Sequence, residues 1–216
     1  MSENTAGKIK LTQKGQMTRE KLLATAEIIF GEKGYYETSV VDITQRAGVS
    51  QGTFYNYFPT KCAIFEELVM QLSRDVRFEI KKAIVAAQSH EDAQRIGFQT
   101  FFLWVKNHPN LYSIVQQALL VDVKLYRYYY DQLANGYMRA LAKAMEDGEF
   151  KSLNKEAITY CLMGIGQFLG MRWVYWEEKL VPDDVFESAM DMVFHGLKQP
   201  TIKGDEREDG ANFYMD

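Results

Sequence analysis

Cysteine is nearly absent from this chain, and the two that occur, Cys62 and Cys161, lie far apart. They form no Cys-x-x-Cys pair and no cysteine–histidine cluster. That argues against a disulfide scaffold or a zinc site and points to a reducing compartment, the cytoplasm. The four prolines leave little to interrupt helices. The three histidines, His90, His108 and His195, include no i, i+4 pair and no His-Glu-x-x-His pattern. A Gly-x-Ser-x-Gly elbow and a phosphate-binding loop are missing too, so no familiar enzyme chemistry is marked and none is expected. Long apolar runs are also lacking. The best candidate, Tyr160 to Tyr175, is interrupted by Gln167 and Arg172, and nothing resembles a signal peptide.

What the 216 residues do contain is ample core material. Apolar types make up 47% and aromatics 13%, too much for a disordered chain. The apolar positions recur at helical spacing almost throughout, which predicts an all-α protein. The net charge of −4 argues against a general coat for nucleic acid. Its distribution is uneven, however. From Met1 to Lys61 eight basic residues face six acidic ones, leaving +2 at the front and −6 on the remainder. A mildly basic front on an acidic body suits a specific DNA reader.

Punctuation divides the chain into four stretches. Residues 1–16 are polar, with Lys8, Lys10 and Lys14, and read as a flexible arm. Residues 17–62 hold three short helices. The first is capped at Thr18, carries Leu22, Ala26, Ile29 and Phe30 inward, and ends at Gly34. The second opens at Thr38-Ser39, with Asp42 completing a capping box. The third opens at Ser50 and stops at Pro59. Residues 63–200 read as longer amphipathic helices. One runs from Lys61 to Ala87, one from Ser89 to His108, one from near Asp122 to Gly148, one from Asn154 to Glu178 and one from Pro182 to Leu197. Residues 201–216 are mostly acidic and polar and read as a disordered tail.

The chemistry concentrates between Thr38 and Lys61. Two short helices meet at Ala47-Gly48-Val49-Ser50, where Val49 plugs the corner, and this is the helix-turn-helix arrangement. The N-terminal residues of the second helix would face base edges: Gln51, Gly52 and Thr53. Gln51 suits adenine, the Thr53 methyl suits thymine, and Gly52 permits close approach. Tyr55, Asn56 and Tyr57, with Thr38 or Ser39 and Lys61 at helix N-termini, are placed for phosphate contacts.

Thr18 to Lys61 resembles the DNA-binding domain of the tetracycline-repressor (TetR) family. The likeness is carried by Phe30, Lys33-Gly34-Tyr35, Thr38-Ser39, Asp42-Ile43, Arg46-Ala47-Gly48-Val49-Ser50 and Gly52 to Phe58 with Lys61. Tyr57 stands where the family often has histidine. The resemblance implies operator contacts at Gln51 to Thr53, Tyr55, Tyr57 and Lys61. It also implies a C-terminal domain that binds a small effector and forms a homodimer through its last two helices, and a repressor of a palindromic operator.

Less is written in the C-terminal part. Its aromatics read first as core, yet together they could line an apolar pocket. The expected lining is Phe98, Phe101, Phe102, Tyr112, Tyr126, Tyr137, Phe168, Met171, Arg172 and Tyr175. For Arg172 the alternatives are a ligand anion or an acid such as Glu177. The expected dimer face is Gly166, Gly170, Trp173, Ala189, Met192 and Val193, with intrachain packing as the alternative for the glycines. The run Leu119 to Tyr137 resembles family members of fatty-acid metabolism, which implies a long-chain acyl-coenzyme A effector and no resident cofactor. Two rivals stay open: an aromatic or cationic drug-like effector, and a ligand-independent activator or architectural protein.

Overall fold

A computed structural model describes residues 11–198, and among them every extended element is helical. In order these are α1 (Gln13–Lys33), α2 (Val40–Ala47), α3 (Gln51–Tyr55) and α4 (Lys61–Ala83), followed by a 3-10 turn (Ile84–Ala86). Then come α5 (His90–Asn107), α6 (Pro109–Val121), α7 (Val123–Glu146) and α8 (Lys155–Leu169), a π-helical segment (Gly170–Tyr175) and α9 (Asp183–Leu197). The acidic tail expected at 201–216 lies outside the described residues, as do residues 1–10 of the expected arm.

Side-chain caps explain most of the helix starts. Ser39, Ser50, Thr60, Ser89 and Asn154 each accept a hydrogen bond from the backbone N–H three residues on, and Asp122 does so for Lys124 and Leu125. The expected cap at Thr18 is wrong. Thr12 caps α1 through Gly15 N–H, and the Thr18 hydroxyl turns back to Lys14 O instead. Residues 13–16, expected in a flexible arm, are therefore helical. Further on, α4 gives way to the 3-10 turn before Ala87. The helix expected from Asn154 to Glu178 changes to π geometry at Gly170. A periodicity of apolar residues cannot distinguish these tighter or looser turns from α-helix.

The core is continuous from one end to the other. Leu22, Ala26, Ile29 and Phe30 of α1 are buried with Ile43 of α2, Phe54 and Phe58, and Ile64, Phe65, Leu68, Leu72 and Val76 of α4. This core runs on into Phe98, Phe102, Ile114, Leu141, Leu162 and Phe194. The seam between the small N-terminal bundle and the larger body is where α1 meets α6. A Cβ added at Gly31 would lie 2.6 Å from the Asn110 Cβ, so only glycine allows the helices to approach this closely. Gln117 of α6 then closes the end of α1: its amide donates to Phe30 O (3.0 Å) and its carbonyl accepts from Tyr35 N–H (2.8 Å). Tyr36 adds a hydroxyl bond to Leu120 O (2.8 Å).

Gly31→Ala is expected to destabilise the protein by about 1–3 kcal/mol through overpacking. Asn110→Gly in the same chain should recover part of that loss. Thermal melts of the two single variants and the double variant check this, and additive losses would contradict the close contact.

Candidate functional site

The helix-turn-helix is rigid for reasons visible in its backbone. The Ser39 hydroxyl accepts from Asp42 N–H (3.1 Å), while the Asp42 carboxylate accepts from Ser39 N–H (2.8 Å), completing the expected capping box. The Ser39 hydroxyl also donates to that carboxylate (2.5 Å), and with the Ser39 N–H and Lys33 at 3.2 Å it draws the Asp42 carboxyl down to about 2. The corner residue Gly48 sits at φ +64°, a left-handed conformation costly for any residue with a side chain. Val49 is half-buried and its N–H returns to Thr44 O (3.0 Å). The next helix starts at Ser50, whose hydroxyl accepts from Thr53 N–H (3.1 Å).

Phe54 and Phe58 point from this segment into the core and fix its back. Gln51, Gly52, Tyr55 and Asn56 are exposed on the other side, with Thr53 and Tyr57 half-buried beside them. One short element thus presents amide, hydroxyl and phenol groups on a surface whose far side is packed into the core. Ser39 is exposed at the start of α2.

Two of the residues expected at phosphates do something else. Thr38 is buried, and its hydroxyl donates to Gly34 O (2.7 Å). The Lys61 ammonium donates to Tyr35 O and Thr38 O (both 2.7 Å) and lies 4.2 Å from the centre of the Tyr35 ring. Lys61 therefore ties the start of α4 to the α1–α2 connection. Burial lowers its pKa, and the carbonyls take donors that a phosphate would otherwise receive.

In the body, the aromatic residues expected to line a pocket are mostly core. Phe98, Phe102 and Tyr112 are buried among neighbours, and Phe98 and Phe102 stack at 6.2 Å. Phe101, Tyr126, Met171 and Tyr175 are half-buried against the same core. Phe168 is 65% exposed. Arg172 pairs with Glu177, the acid that was the alternative to a ligand anion. The glycines expected at a dimer face pack inside the chain. A Cβ at Gly166 would come within 3.2 Å of the Phe98 ring and one at Gly170 within 3.3 Å of Phe101, so both serve the approach of α8 and the π segment to α5. Val193 is buried, and Trp173 and Ala189 are half-buried on the core; of the expected face only Met192 is exposed.

A cavity of about 430 Å³ opens instead between α4, α5 and α7. Ile80, Ile84 and Leu133 give it apolar walls, and Arg77, Lys81 and Arg139 line it as well. Of the residues expected at a ligand, only Tyr137 reaches it. The sequence did carry faint signals. Arg77 and Lys81 stand one helical turn apart beside an otherwise apolar stripe, and Gly97 and Gly136 interrupt helices where glycine is costly.

The same arrangement recurs among known proteins. Residues 22–68 match the family model described as bacterial regulatory proteins, tetR family. YvdT of Bacillus subtilis, an HTH-type transcriptional regulator, is 28% identical over 129 residues, 57% of this chain and 66% of that protein. The transcriptional repressor KstR2 of Rhodococcus jostii is 21% identical over 187 residues, covering 84% of this chain and 92% of the relative. A solved structure titled as the fatty acid degradation regulator FadR from Bacillus halodurans shares the fold. Its TM-score is 0.74 at 19% identity, over 86% of this chain and 97% of that one. The helix-turn-helix and the all-α body thus define a DNA-binding transcriptional regulator. Over residues 22–68 the chain is similar to the tetR family of bacterial regulatory proteins. Among the described residues no helix is long and apolar enough to cross a membrane.

Lys61→Met is expected to lower the melting temperature by several degrees, from a loss of about 1–3 kcal/mol in charged hydrogen bonds. A residue held only in reserve for phosphate would leave the melt unchanged, so an unaltered midpoint would contradict the clamp.

Proposed function

We propose that this chain is a cytoplasmic, homodimeric repressor that binds a palindromic operator and is released from it by a small effector. The observation that carries the reading is the exposed polar face of α3, held from behind by Phe54 and Phe58. In this reading Gln51, Gly52 and Thr53 meet base edges in the major groove, and Ser39, Tyr55, Asn56 and Tyr57 meet phosphates. Thr38 and Lys61 act indirectly, by fixing the start of α2 against α4. DNA reading belongs to α1–α3 with the first turn of α4, and sensing and dimerisation to the remainder.

An exposed apolar stripe supports the dimer. Tyr160 and Phe168 of α8 are exposed on either side of Gly164, at i, i+4 and i+8, and Met192 of α9 is exposed as well. Apolar surface of this kind favours a second copy. The two copies would then set two α3 helices about one DNA turn, or a multiple of it, apart.

The cavity supports an effector over the ligand-independent alternative, since its volume falls within the range of small-molecule sites. A long-chain acyl-coenzyme A is the effector the sequence resemblance favours, and its apolar chain suits walls of isoleucine and leucine. The cations lining the cavity disfavour a cationic drug. Release follows if the effector binds more tightly to a dimer whose reading helices are wrongly spaced.

Fluorescence anisotropy on DNA from upstream of the gene encoding this chain tests the reading. Tight, salt-sensitive binding is expected. Tyr55→Ala should weaken binding across sequences, and Gln51→Ala should relax base preference at one position by about 1–3 kcal/mol. Wild-type behaviour in both variants would reject α3 as the reader. Phe168→Asp should shift the species in sedimentation velocity from dimer to monomer, and an unchanged dimer would reject the α8 face.

A further inference from the structure

The α4–α5–α7 cavity has polar groups that the protein itself leaves unpartnered. Gln94 lines it, is only 9% exposed, and its amide has no hydrogen-bond partner among the described residues. Tyr137 lines it too, with a hydroxyl that likewise has no partner there. Burial raises the Tyr137 phenol to about 12, so it stays a neutral donor. Neither group is sealed from solvent, so both are open to hydrogen bonds with whatever enters the cavity.

The charge is equally one-sided. Arg77, Lys81 and Arg139 line the cavity, no acidic side chain does, and among the described residues none of the three makes an ion pair. Arg77 is partly committed. Its Nε donates to Ser73 O (2.7 Å) and one terminal nitrogen lies 3.4 Å from Gln132 Oε1, which leaves the other terminal nitrogen free. A guanidinium oriented by its own helix and by α7 is prepared for a planar or tetrahedral oxyanion. The remaining wall is Ile80, Ile84 and Leu133, and at Gly136 an added Cβ would meet nothing within 4 Å.

We infer that this cavity binds an anionic amphiphile, with a carboxylate or phosphate head at Arg77, Arg139 and Gln94 and an aliphatic chain along Ile80, Ile84 and Leu133. The head group could come from a free fatty acid or from the phosphates of an acyl-coenzyme A. The inference rests on the effector reading above for its consequence at DNA, and on the cavity alone for binding.

Isothermal titration calorimetry of the full-length chain separates the two. The probes are dodecanoate, lauroyl-coenzyme A, dodecan-1-ol and dodecyltrimethylammonium. One of the two anions is expected to bind once per chain, at least about tenfold more tightly than the alcohol, with the cation weaker still. Whichever anion binds names the source of the head group. Arg77→Met should weaken that anion about tenfold while leaving the alcohol unchanged. Gly136→Leu should block all binding, and its melting temperature should not fall, because the side chain enters open space and glycine is the poorer helix former. Equal binding of alcohol and anion, no binding of either anion, or full binding by Gly136→Leu would each overturn the inference. If the anion binds as expected but operator DNA is not released, the site stands and the effector reading fails.

Discussion

The close approach of α1 and α6 is the constraint on which the rest of the architecture depends. α1 is the spine of the DNA-reading bundle, and its last turn is finished by a side chain from the body. Gly31 lets the two helices touch at Asn110, and Gln117 takes the place of the missing next turn for Phe30 O and Tyr35 N–H. Tyr35 is in turn the anchor for Lys61, whose ammonium lies over the ring face and donates to the carbonyls of Tyr35 and Thr38. The start of α4 and the entry to α2 are thereby fixed by the same few atoms. A helix end buried without such partners would leave polar groups unsatisfied, so the seam cannot loosen at one bond without cost at the others.

That seam gives the cavity a route to the reading head. α4 carries Arg77 and Lys81 at one end and, at the other, the Thr60 cap and the Lys61 clamp. A ligand that draws Arg77 toward α7 acts on the same helix whose first turn holds the α1–α2 connection. α6 packs on α1, α4 and α7 together, which gives movement of α4 relative to α7 a packed path to the point where Gln117 closes α1. Coupling of this kind needs two arrangements that the ligand distinguishes, and the partly committed guanidinium of Arg77 is a group whose contacts would differ between them.

The reading head was legible in the sequence because its chemistry is local. Ser39 with Asp42, Gly48 at the corner and Ser50 before α3 each act within a few residues of themselves, and all took the expected geometry. Lys61 and Thr38 were misread because their partners, Tyr35 O and Gly34 O, are backbone atoms that carry no sequence signature. Gly166 and Gly170 did signal close approach, but the helix approached was α5 in the same chain, which is a tertiary fact. The α4–α5–α7 cavity was missed for a related reason. The body's aromatic residues mostly fill its core, whereas the cavity is lined by Arg77, Gln94 and Gly136, which come together only when three helices meet.

The central claim is that two copies of this chain read DNA together, and a nuclease footprint of the full-length protein on its own upstream region tests it most directly. The account predicts two protected half-sites related by a dyad and spaced by about one helical turn or a multiple of it. Protection of a single half-site, or no protection at concentrations where the protein is dimeric, would contradict it.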